Sequence, residues 1–461
     1  MGRAPAARRT RRRVIVIGGG ISGLATAFEL CLSGADLELR VLEARHSAGG
    51  NIVTLRVDDC LVDAGPDAIH TSRPEALALC NDLGLGDRMV APSSEGARFL
   101  VAREGRLEPV PEDLVYGVPR NLRQLASTRL LSWRGRARAA LDLVLPGRKL
   151  QEISVGELVE QRLGREVKDR LVEPIIAAIT ASDIDRLDAE IAAPLLARAP
   201  RSVIAALVAL PRSPDPLFRA PRNGMTELVD ALIARIGPER VQLATPARAL
   251  TRVGSSFRID VAGSDPIVAD DVVVATPAYR ASELLEPAHP ELSSEIRALR
   301  SLSVAAVILG FDAVAARSLP RAAGLLLPRV ERRSTIAATF VSTRWPERTA
   351  SGRFLIRAFV GGDRSREMLA ASDASIVSTV LGELGSYLCL PPLRSSRVVR
   401  FERSSPSPRV GHRSRIATLH AHVADSGRLH LVGGAYAPGI SLASCIAQAR
   451  ETARRILAGR A

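Results

Sequence analysis

Three glycines near the start of the chain have the spacing of a nucleotide-binding turn. Gly18, Gly20 and Gly23 follow an apolar run and precede a helical pattern, and Glu43 ends the next apolar run. In such a unit the first glycine allows a tight turn, the second lets the main chain approach a pyrophosphate, and the third lets helix and strand pack closely. The acid is then placed to bind ribose hydroxyls. The spacing predicts a dinucleotide site.

The arginines that precede this turn raise a second interpretation, an export signal. A signal peptide needs an unbroken apolar core of about 7–15 residues. Here the apolar run at 14–17 is stopped at once by three glycines. Four apolar residues suit one buried parallel strand. We therefore expect the arginines to be a short disordered leader.

Composition narrows the class of protein. The chain has 461 residues, 46% of them hydrophobic, which is enough for about two or three domains. No stretch approaches the roughly 18 uninterrupted apolar residues of a membrane span. The five cysteines are scattered without a C-x-x-C pair, which favours free thiols in the cytoplasm. The histidines show no ligand spacing, and the "HAH" at 420–422, expected on a strand or loop, is not predicted to bind a metal.

The net charge of +14 invites a nucleic-acid interpretation. Almost all of the positive charge is arginine, since Lys149 and Lys168 are the only lysines. Aromatic residues make up only 3% of the chain, so the stacking residues of single-strand binders are missing. We therefore expect no nucleic-acid partner. An anionic membrane surface or an acidic substrate explains the charge at least as well.

A second glycine pair follows the acid. Gly49 and Gly50 begin six residues past Glu43. An NAD-dependent dehydrogenase does not need this second turn. A longer cofactor that extends towards a flavin ring would contact it. An ordinary loop with two glycines is the alternative.

With these residues the chain resembles the flavin amine oxidase superfamily, in which the first glycine turn, the acid and a following glycine pair form one FAD-binding run. More narrowly, it is similar to the protoporphyrinogen/coproporphyrinogen oxidases of haem biosynthesis. The motifs that carry the resemblance are VIVIGGGISGL, VDAGPDAIH, RFLVAREGRLEPVP at 98–111, LVEPIIAAITASDIDRLDAEIAAPLL at 171–196, GLLLP at 324–328, FVGGDR at 359–364 and RVGHRSRI at 409–416.

The resemblance implies FAD as the cofactor and oxidation of a porphyrinogen, with molecular oxygen as the acceptor and peroxide as its product. Flavin chemistry carries the reaction, so no residue is assigned as a catalytic base. The implied cofactor contacts are Gly18, Gly20, Ser22, Gly23, Glu43, Ala44, Gly49, Gly50, Asn51, Gly65, Pro66, Asp67, Ala247, Thr276, Gly433, Gly434, Gly439, Ile440 and Ser441.

The substrate of such an oxidase carries propionates, which a fixed arginine binds through paired hydrogen bonds. Arg98 matches the arginine thought to do this in the family, and a solvated surface arginine is the alternative. His412 also falls in a family motif, and we interpret it as structural. The chain departs from the family at Asp63, Asp67 and Gly434, where Glu, Asn and Asn are common.

The predicted fold class is α/β. We expect a Rossmann-like FAD-binding domain assembled from the discontinuous segments 1–84, 222–280 and 411–461. Between these segments in the sequence we expect a helical region at 85–210, which contacts substrate or membrane, and a mixed-sheet substrate domain at 281–410.

Residues 114–151 are basic and amphipathic, with leucines and Trp133 between the charges. Such a stretch can lie on anionic lipid, as the family's membrane-associating region does, or can be a solvated face over an ordinary core. We expect a cytoplasmic protein, peripheral on the inner face of the cell membrane if lipid binds. A homodimer is compatible with the sequence. The basic residues are Arg120, Arg123, Arg129, Arg134, Arg136, Arg138, Arg148 and Lys149.

Three other functions stay open at this point. An amine oxidase often cages its substrate between aromatic side chains near the C-terminal turn, where this chain has only Tyr436. A carotenoid-desaturase-like or other flavin oxidoreductase is the second. A non-catalytic FAD-binding paralogue is the third, and the departures at Asp63, Asp67 and Gly434 are its support.

Overall fold

The computed structural model describes residues 11–145, 152–212 and 215–459. The start of the arginine-rich leader, Arg148 and Lys149 lie outside the described residues.

Five strands from distant parts of the chain form one parallel sheet. Their order across the sheet is Val241–Gln242, Leu37–Leu42, Arg12–Ile17, Asp271–Val274 and Leu429–Leu431. Both faces of this sheet are covered, because Val14 and Val16 pack into one hydrophobic core while Ile15 and Ile17 pack into another. That is why the strands are continuously apolar rather than alternating.

Helices cover one face of the parallel sheet, and a mixed layer covers the other. The helices on the first face are Ile21–Leu32, Pro74–Asp82, Thr226–Ile236 and Leu442–Ala458. The second face carries the antiparallel strands Ala247–Val253, Ser256–Val261 and Ile267–Ala269 with the helices Ala278–Leu285, Pro290–Arg297 and His412–Asp425.

A seven-stranded mixed sheet is the second large layer. Its order is Ser395–Pro406, Ser301–Asp312, Arg353–Gly361, Thr335–Phe340, Gly324–Leu326, Phe99–Arg103 and Arg106–Pro109. Every pairing is antiparallel except that of Gly324–Leu326 with Phe99–Arg103. The helix Asp373–Gly385 packs on one face, and the hairpin Thr54–Val57 and Cys60–Asp63 packs on the other.

A helical region with its own core packs against the seven-stranded sheet, whose Val101, Leu326 and Ala337 belong to that core. Several of its helices begin at hydrogen-bonding caps, as Ser132, Ser154, Asp188 and Ser202 accept from main-chain N–H groups of the first turn. The helices are Leu122–Ser127, Trp133–Ala140, Val155–Leu163, Arg165–Val167, Lys168–Val172 (a π-helix), Glu173–Thr180, Ala189–Ala192, Pro194–Ala197 and Val203–Val208.

Short elements complete the described chain. The remaining strands are Ile69–His70, Met89–Val90, Leu114–Val115, Val118–Pro119 and Phe218–Pro221. The remaining short helices are Gly86–Arg88, Glu95–Ala97, Leu141–Leu143, Pro238–Arg240, Ala315–Ser318, Arg329–Glu331, Val341–Arg344, Pro346–Arg348 and Arg366–Ala370.

The fold is mixed α/β with a large mixed sheet, as the sequence predicts. Two local expectations need correction. Within 85–210, residues 99–109 form two strands of the seven-stranded sheet, because their apolar residues pack between sheet neighbours and not on a helix. His420 and His422 lie on the helix His412–Asp425, not on a strand or loop. In the described ranges no helix combines the length and the apolar character needed to cross a bilayer.

Candidate functional site

The two glycine turns predicted from the sequence lie directly against each other. The Gly49 N–H donates to the Gly19 carbonyl at 2.8 Å, and Gly20 forms an isolated parallel bridge with Gly49. A β-carbon on Gly50 would lie 3.1 Å from the α-carbon of Gly20. The pair therefore forms one continuous main-chain surface at the carboxyl ends of the parallel strands.

Gly18 and Gly23 allow the close packing around the first turn. Gly18 has φ +113°, and a β-carbon there would lie 2.7 Å from the Ala275 carbonyl oxygen. A β-carbon on Gly23 would lie 2.0 Å from the Gly18 carbonyl oxygen. The helix Ile21–Leu32 can approach the strand before it only because both side chains are absent.

Glu43 is buried beside this turn, with 6% of its surface exposed. One carboxylate oxygen, Oε2, accepts from the Gly19 N–H at 2.8 Å, and Oε1 accepts from the Arg45 N–H at 2.9 Å. Ala44, next in the chain, is exposed. The carboxylate is therefore oriented by main-chain donors and keeps further lone pairs for a ligand.

Two predicted residues from the middle of the chain join the same strand ends. The Thr245 N–H donates to the Glu43 main-chain carbonyl at 2.8 Å, and Ala247 begins the next strand two residues later. Thr276 follows the strand Asp271–Val274 and lies next to Gly18, and its Oγ1 is buried with no partner in the described structure.

The C-terminal glycine turn connects the site to the seven-stranded sheet. Gly433 has φ +141° and donates its N–H to Gln448 Oε1 at 2.9 Å. A β-carbon on Gly434 would lie 3.1 Å from Pro406 Cγ, at the end of the strand Ser395–Pro406. This contact leaves little room for the asparagine that is common at position 434 in the family.

The end of the same turn starts the last helix. A β-carbon on Gly439 would lie 2.7 Å from Ser444 Oγ. The Ser441 hydroxyl caps Leu442–Ala458 by accepting from the Ser444 N–H at 3.1 Å. Ile440 packs against the core of the helical region.

His412 is buried beneath this turn, where its ring bonds with the main chain of Ala435. Burial, helped by the nearby Arg415 guanidinium, lowers the pKa of His412 to about 4. A neutral, buried ring on the main chain agrees with a structural role.

The loop that contains Gly65, Pro66 and Asp67 follows the second glycine turn and approaches it closely. A β-carbon on Gly65 would lie 1.9 Å from the Asn51 carbonyl oxygen. Asn51 donates from Nδ2 to the Ser404 carbonyl at 3.0 Å, so it connects the second glycine turn to the seven-stranded sheet. Pro66 is exposed.

Three buried arginines hold this loop, and sequence reasoning missed them. Arg357 Nη1 donates to the carbonyl oxygens of Asp63 at 2.5 Å and Gly65 at 2.9 Å. Arg348 pairs with Asp63 at 2.7 Å, with side chains 1% and 0% exposed. Asp63, one of the three positions where the sequence departs from the resemblance, is therefore part of a buried ion pair.

Asp67 lies between two of these arginines. Its Oδ2 is 3.1 Å from Arg357 Nη2 and 3.7 Å from Arg344 Nε. Burial opposes ionisation of Asp67, but the guanidiniums of Arg357 and Arg344 outweigh it and hold the pKa of this carboxyl below its usual value. An asparagine would leave these arginines with less compensation, so this departure from the family is matched by its surroundings.

Arg98 lies apart from this buried cluster. It precedes the strand Phe99–Arg103, its side chain is 54% exposed, and it pairs with Glu112, which is 59% exposed. Its carbonyl accepts from the Ala323 N–H at 2.6 Å. The structure places the Arg98 side chain at the surface.

These features fit the predicted FAD. The helix Ile21–Leu32 begins at Gly20 without a side-chain cap, so its first N–H groups and positive dipole end face the two glycine turns. Buried Glu43 suits a ribose, and the unpartnered Thr276 hydroxyl suits a further polar contact. The two glycine turns supply close main-chain approach.

Comparison with known proteins agrees with this geometry. The model of the family described as flavin containing amine oxidoreductase matches residues 21–457. The chain is 30% identical to coproporphyrinogen III oxidase of Bacillus subtilis (strain 168), over 95% of this chain and 97% of the relative. It is 28% identical to the chloroplastic protoporphyrinogen oxidase of Nicotiana tabacum, over 96% of this chain and 85% of the relative.

A solved structure shows the same architecture. A crystal structure from Exiguobacterium sp. 255-15, provisionally assigned as a protoporphyrinogen oxidase, superposes with a TM-score of 0.85 at 27% identity. The superposition covers 97% of this chain and 99% of the other.

Proposed function

The chain belongs to the flavin containing amine oxidoreductase family, and from this premise we propose that it is an FAD-dependent oxidase that dehydrogenates a porphyrinogen to the porphyrin, with molecular oxygen as the acceptor. The observation that carries the proposal is the similarity to coproporphyrinogen III oxidase over nearly the whole of both chains. The likeness to protoporphyrinogen oxidases supports the same substrate class.

The chemistry assigns different tasks to cofactor and protein. FAD, when bound, supplies the hydride acceptor for the sp³ carbons of the porphyrinogen. The chain's own residues would orient the cofactor: Glu43 would hold a ribose, and the N-terminus of Ile21–Leu32 would hold phosphate charge. No side chain is assigned as a base.

We further propose the domain organisation predicted from the sequence. Segments 1–84, 222–280 and 411–461 form a Rossmann-like FAD-binding unit, and the parallel sheet drawn from all three supports this. Segment 281–410 supplies most of the substrate-facing sheet, and 85–210 supplies the helical region together with two strands of that sheet. The predicted cofactor contacts then come from every FAD segment.

For the substrate, we propose that Arg98 binds a propionate. Its partner Glu112 is exposed, and an exposed ion pair contributes only about 0–1 kcal/mol. A propionate could replace Glu112 and accept two hydrogen bonds from the Arg98 guanidinium. Such a paired contact is stronger than the exposed Arg98–Glu112 ion pair.

We also propose that the surface around Trp133 contacts anionic lipid. Trp133 is 71% exposed and Val144 is 76% exposed, and the guanidinium of Arg134 lies 5.3 Å from the Trp133 ring centroid. An exposed aromatic beside arginines suits a bilayer interface. Among the described residues of this stretch, the other large apolar side chains that are exposed are those of Leu122, Leu141, Leu143 and Leu145.

An amine oxidase is not favoured by the C-terminal turn. Tyr436 is fully buried in the core behind the parallel sheet, so it does not offer a face to an amine. Of the two lysines, Lys168 lies within the described residues. Its ammonium pairs with Glu160 in the helical region.

The test is oxidation of coproporphyrinogen III and protoporphyrinogen IX by the purified holoenzyme under air. Porphyrin fluorescence that grows with enzyme concentration supports the proposal. A yellow protein that forms no porphyrin from either compound would overturn it and favour a non-catalytic FAD-binding paralogue.

A further inference from the structure

Arg344 is a buried arginine whose guanidinium contacts three separate parts of the chain. It ends the short helix Val341–Arg344, and 4% of its surface is exposed. A guanidinium in such a place is costly unless charged or hydrogen-bonding groups compensate it. The partners of Arg344 therefore show which segments this residue holds together.

The first partner belongs to the cofactor loop, which is the loop at residues 65–67. Arg344 Nε lies 3.7 Å from Asp67 Oδ2 and has no hydrogen-bond partner among the described residues. Asp67 is one of the predicted FAD contacts, and its carboxylate also lies 3.1 Å from Arg357 Nη2. The charge of Arg344 is thus compensated by a carboxylate of the cofactor loop.

The second partner is the loop at residues 93–97. Arg344 Nη1 donates to the Gly96 carbonyl at 3.2 Å. The Ser93 N–H donates to the Arg344 carbonyl at 3.1 Å, and the Ser93 hydroxyl donates to the Thr343 carbonyl at 2.5 Å. The loop is therefore bound to the main chain of the helix end as well as to the Arg344 side chain.

Gly96 allows this loop to approach the helix end so closely. A β-carbon on Gly96 would lie 2.7 Å from the Thr343 carbonyl oxygen and closer still to the Arg344 α-carbon. The Gly96 N–H donates to Ser93 Oγ at 2.9 Å, which closes the loop on itself. Any side chain at this position would push the loop away from Arg344.

The third partner is a pair of aromatic rings. The Arg344 guanidinium carbon lies 5.7 Å from the ring centroid of Phe99 and 5.3 Å from that of Phe218. A guanidinium within about 6 Å of a ring centroid is attracted to the ring, and more strongly where water is excluded. Because Phe99 directly follows Arg98, Arg344 contacts the chain on both sides of Arg98, at Gly96 and at Phe99.

Arg98 itself depends on its main chain for orientation. Its carbonyl accepts from the Ala323 N–H at 2.6 Å. Its side chain is 54% exposed and pairs with Glu112, which is also exposed. Since an exposed ion pair restrains a long side chain weakly, the main chain at 96–99 sets the direction in which the Arg98 guanidinium extends.

We propose that Arg344 is a positioning residue: it holds residues 93–99 against the cofactor loop and thereby fixes the direction in which Arg98 meets a propionate of the substrate. The inference rests on the proposed function, since Arg98 is the proposed substrate contact. Arg344 is buried and does not itself contact the porphyrinogen. A guanidinium binds a carboxylate tightly only when its planar fork is aligned with both oxygens, so a shifted main chain at Arg98 costs affinity.

Three variants perturb this contact in different ways. Arg344→Met removes the guanidinium and keeps an unbranched side chain, while Asp67 retains Arg357 as a partner. Arg344→Lys keeps the charge but lacks the planar fork that reaches Asp67 and the Gly96 carbonyl together. Gly96→Ala leaves Arg344 intact and displaces the loop instead.

Arg348→Met is the matched control for the loss of a buried guanidinium. Arg348 is also 4% exposed, and its guanidinium lies 4.6 Å from the Trp345 ring centroid. It bonds to Asp63 and to the carbonyls of Pro221 and Arg222. The control therefore removes a similar buried charge from the same neighbourhood, with its bonds directed to another part of the chain.

Hydrogen exchange of the holoenzyme, followed by mass spectrometry, measures whether Arg344 holds the segment. We expect peptides that cover 93–99 to exchange about 10-fold faster in Arg344→Met and Gly96→Ala, and less so in Arg344→Lys. Arg348→Met should speed exchange in the hairpin at 54–63 and leave 93–99 unchanged. Unchanged exchange at 93–99 in Arg344→Met, or the same increase in Arg348→Met, would overturn the proposal.

Porphyrin binding measures whether Arg344 acts through Arg98. Oxidised holoenzyme is titrated with coproporphyrin III, and the quenching of flavin fluorescence is followed. Arg344→Met should weaken binding by about 10-fold, which is within the range of coupling between residues in contact. In an Arg98→Ala background the same substitution should cause no further loss. An equal loss in that background would overturn the proposal, because Arg344 would then act by another route.

The two measurements distinguish a failure of this inference from a failure of the proposed function. If Arg98→Ala leaves coproporphyrin III binding unchanged, the proposed substrate contact is wrong, and the positioning role of Arg344 is overturned with it. If Arg98→Ala weakens binding but Arg344→Met changes neither binding nor exchange at 93–99, the substrate contact stands and the positioning role alone is wrong. Faster exchange at 93–99 together with a loss of binding that requires Arg98 supports both.

Discussion

The α-carbon of Gly20 lies 3.1 Å from the position that a β-carbon on Gly50 would take. The two residues come from different turns, one before the first helix and one after the second strand. Their contact makes a surface without side chains at the strand ends, and Glu43 lies beside it. We expect the FAD pyrophosphate to bind along this surface.

Replacing Gly20 by Val tests that expectation. Gly20 has φ −77°, and a β-carbon there would meet no atom closer than 3.8 Å, so the apoprotein should fold. The branched side chain would fill the space in front of the helix N-terminus, and the protein should purify without flavin. The measurement is the flavin absorbance of the purified protein, with circular dichroism to confirm folding. Gly382→Ala, in a helix with open space around it, is the control. A yellow, active Gly20→Val protein would remove the basis for this site.

The buried His412 predicts a pH dependence of stability. The folded-state pKa of about 4 is below the ordinary value of 6.5, so between these values the unfolded chain binds more protons. Stability from this site is complete above about pH 6.5 and falls as the pH drops towards 4, by about 1.4 kcal/mol per pH unit at most. In urea titrations of the apoprotein, His412→Gln should flatten this slope, and the exposed His46→Gln should not. An unchanged slope in His412→Gln would mean that other groups cause the acid sensitivity.

Arg98→Ala should weaken porphyrinogen binding without affecting the flavin. The side chain is exposed and pairs only with exposed Glu112, so the flavin spectrum and Tm should change little. The loss should be about 1.5–3 kcal/mol, a 10- to 100-fold rise in KM. Arg98→Lys should recover part of it, because a point charge does not reproduce the planar fork. The same factor lost on an esterified porphyrinogen would show that Arg98 holds the fold or the flavin and not a carboxylate.

Short-range patterns in the sequence indicate candidate site residues, whereas contacts between residues far apart in the chain leave no such pattern. The glycine spacing and Glu43 are read from one short segment, because a turn, a helix start and an acid follow each other there. Arg348 and Arg357 could not be found this way: their partners Asp63 and Gly65 are far away in the sequence. The chain has 63 lysines and arginines, and nothing local marks which of them are buried. Only the fold, by placing the strand Arg353–Gly361 beside the hairpin, identifies them.

The same limit applies to the basic stretch. Its composition predicts a charged face, but the structure shows that Arg136 and Arg138 donate to carbonyl oxygens of Ala126 and Arg162. Arg120 is buried and donates to the Leu207 carbonyl. Those three arginines are structural.

The exposed arginines of this stretch should govern vesicle binding. Arg123, Arg129 and Arg134 are exposed, so changing all three to Gln should lower binding to anionic vesicles and leave flavin content unchanged. Binding by the parent should fall as salt rises, since screening shortens the range of the attraction. The measurement is sedimentation with vesicles of phosphatidylglycerol and phosphatidylcholine. Equal binding to neutral phosphatidylcholine vesicles would contradict the electrostatic account.

The most direct test of the central claim is oxidation of the two porphyrinogens by the same purified holoenzyme under air. The account predicts porphyrin fluorescence from coproporphyrinogen III, protoporphyrinogen IX or both, together with peroxide release and no turnover in the flavin-free Gly20→Val protein. Porphyrin formation at the same rate with parent and Gly20→Val protein, or none above the rate of spontaneous oxidation with the flavin-loaded parent, would contradict it.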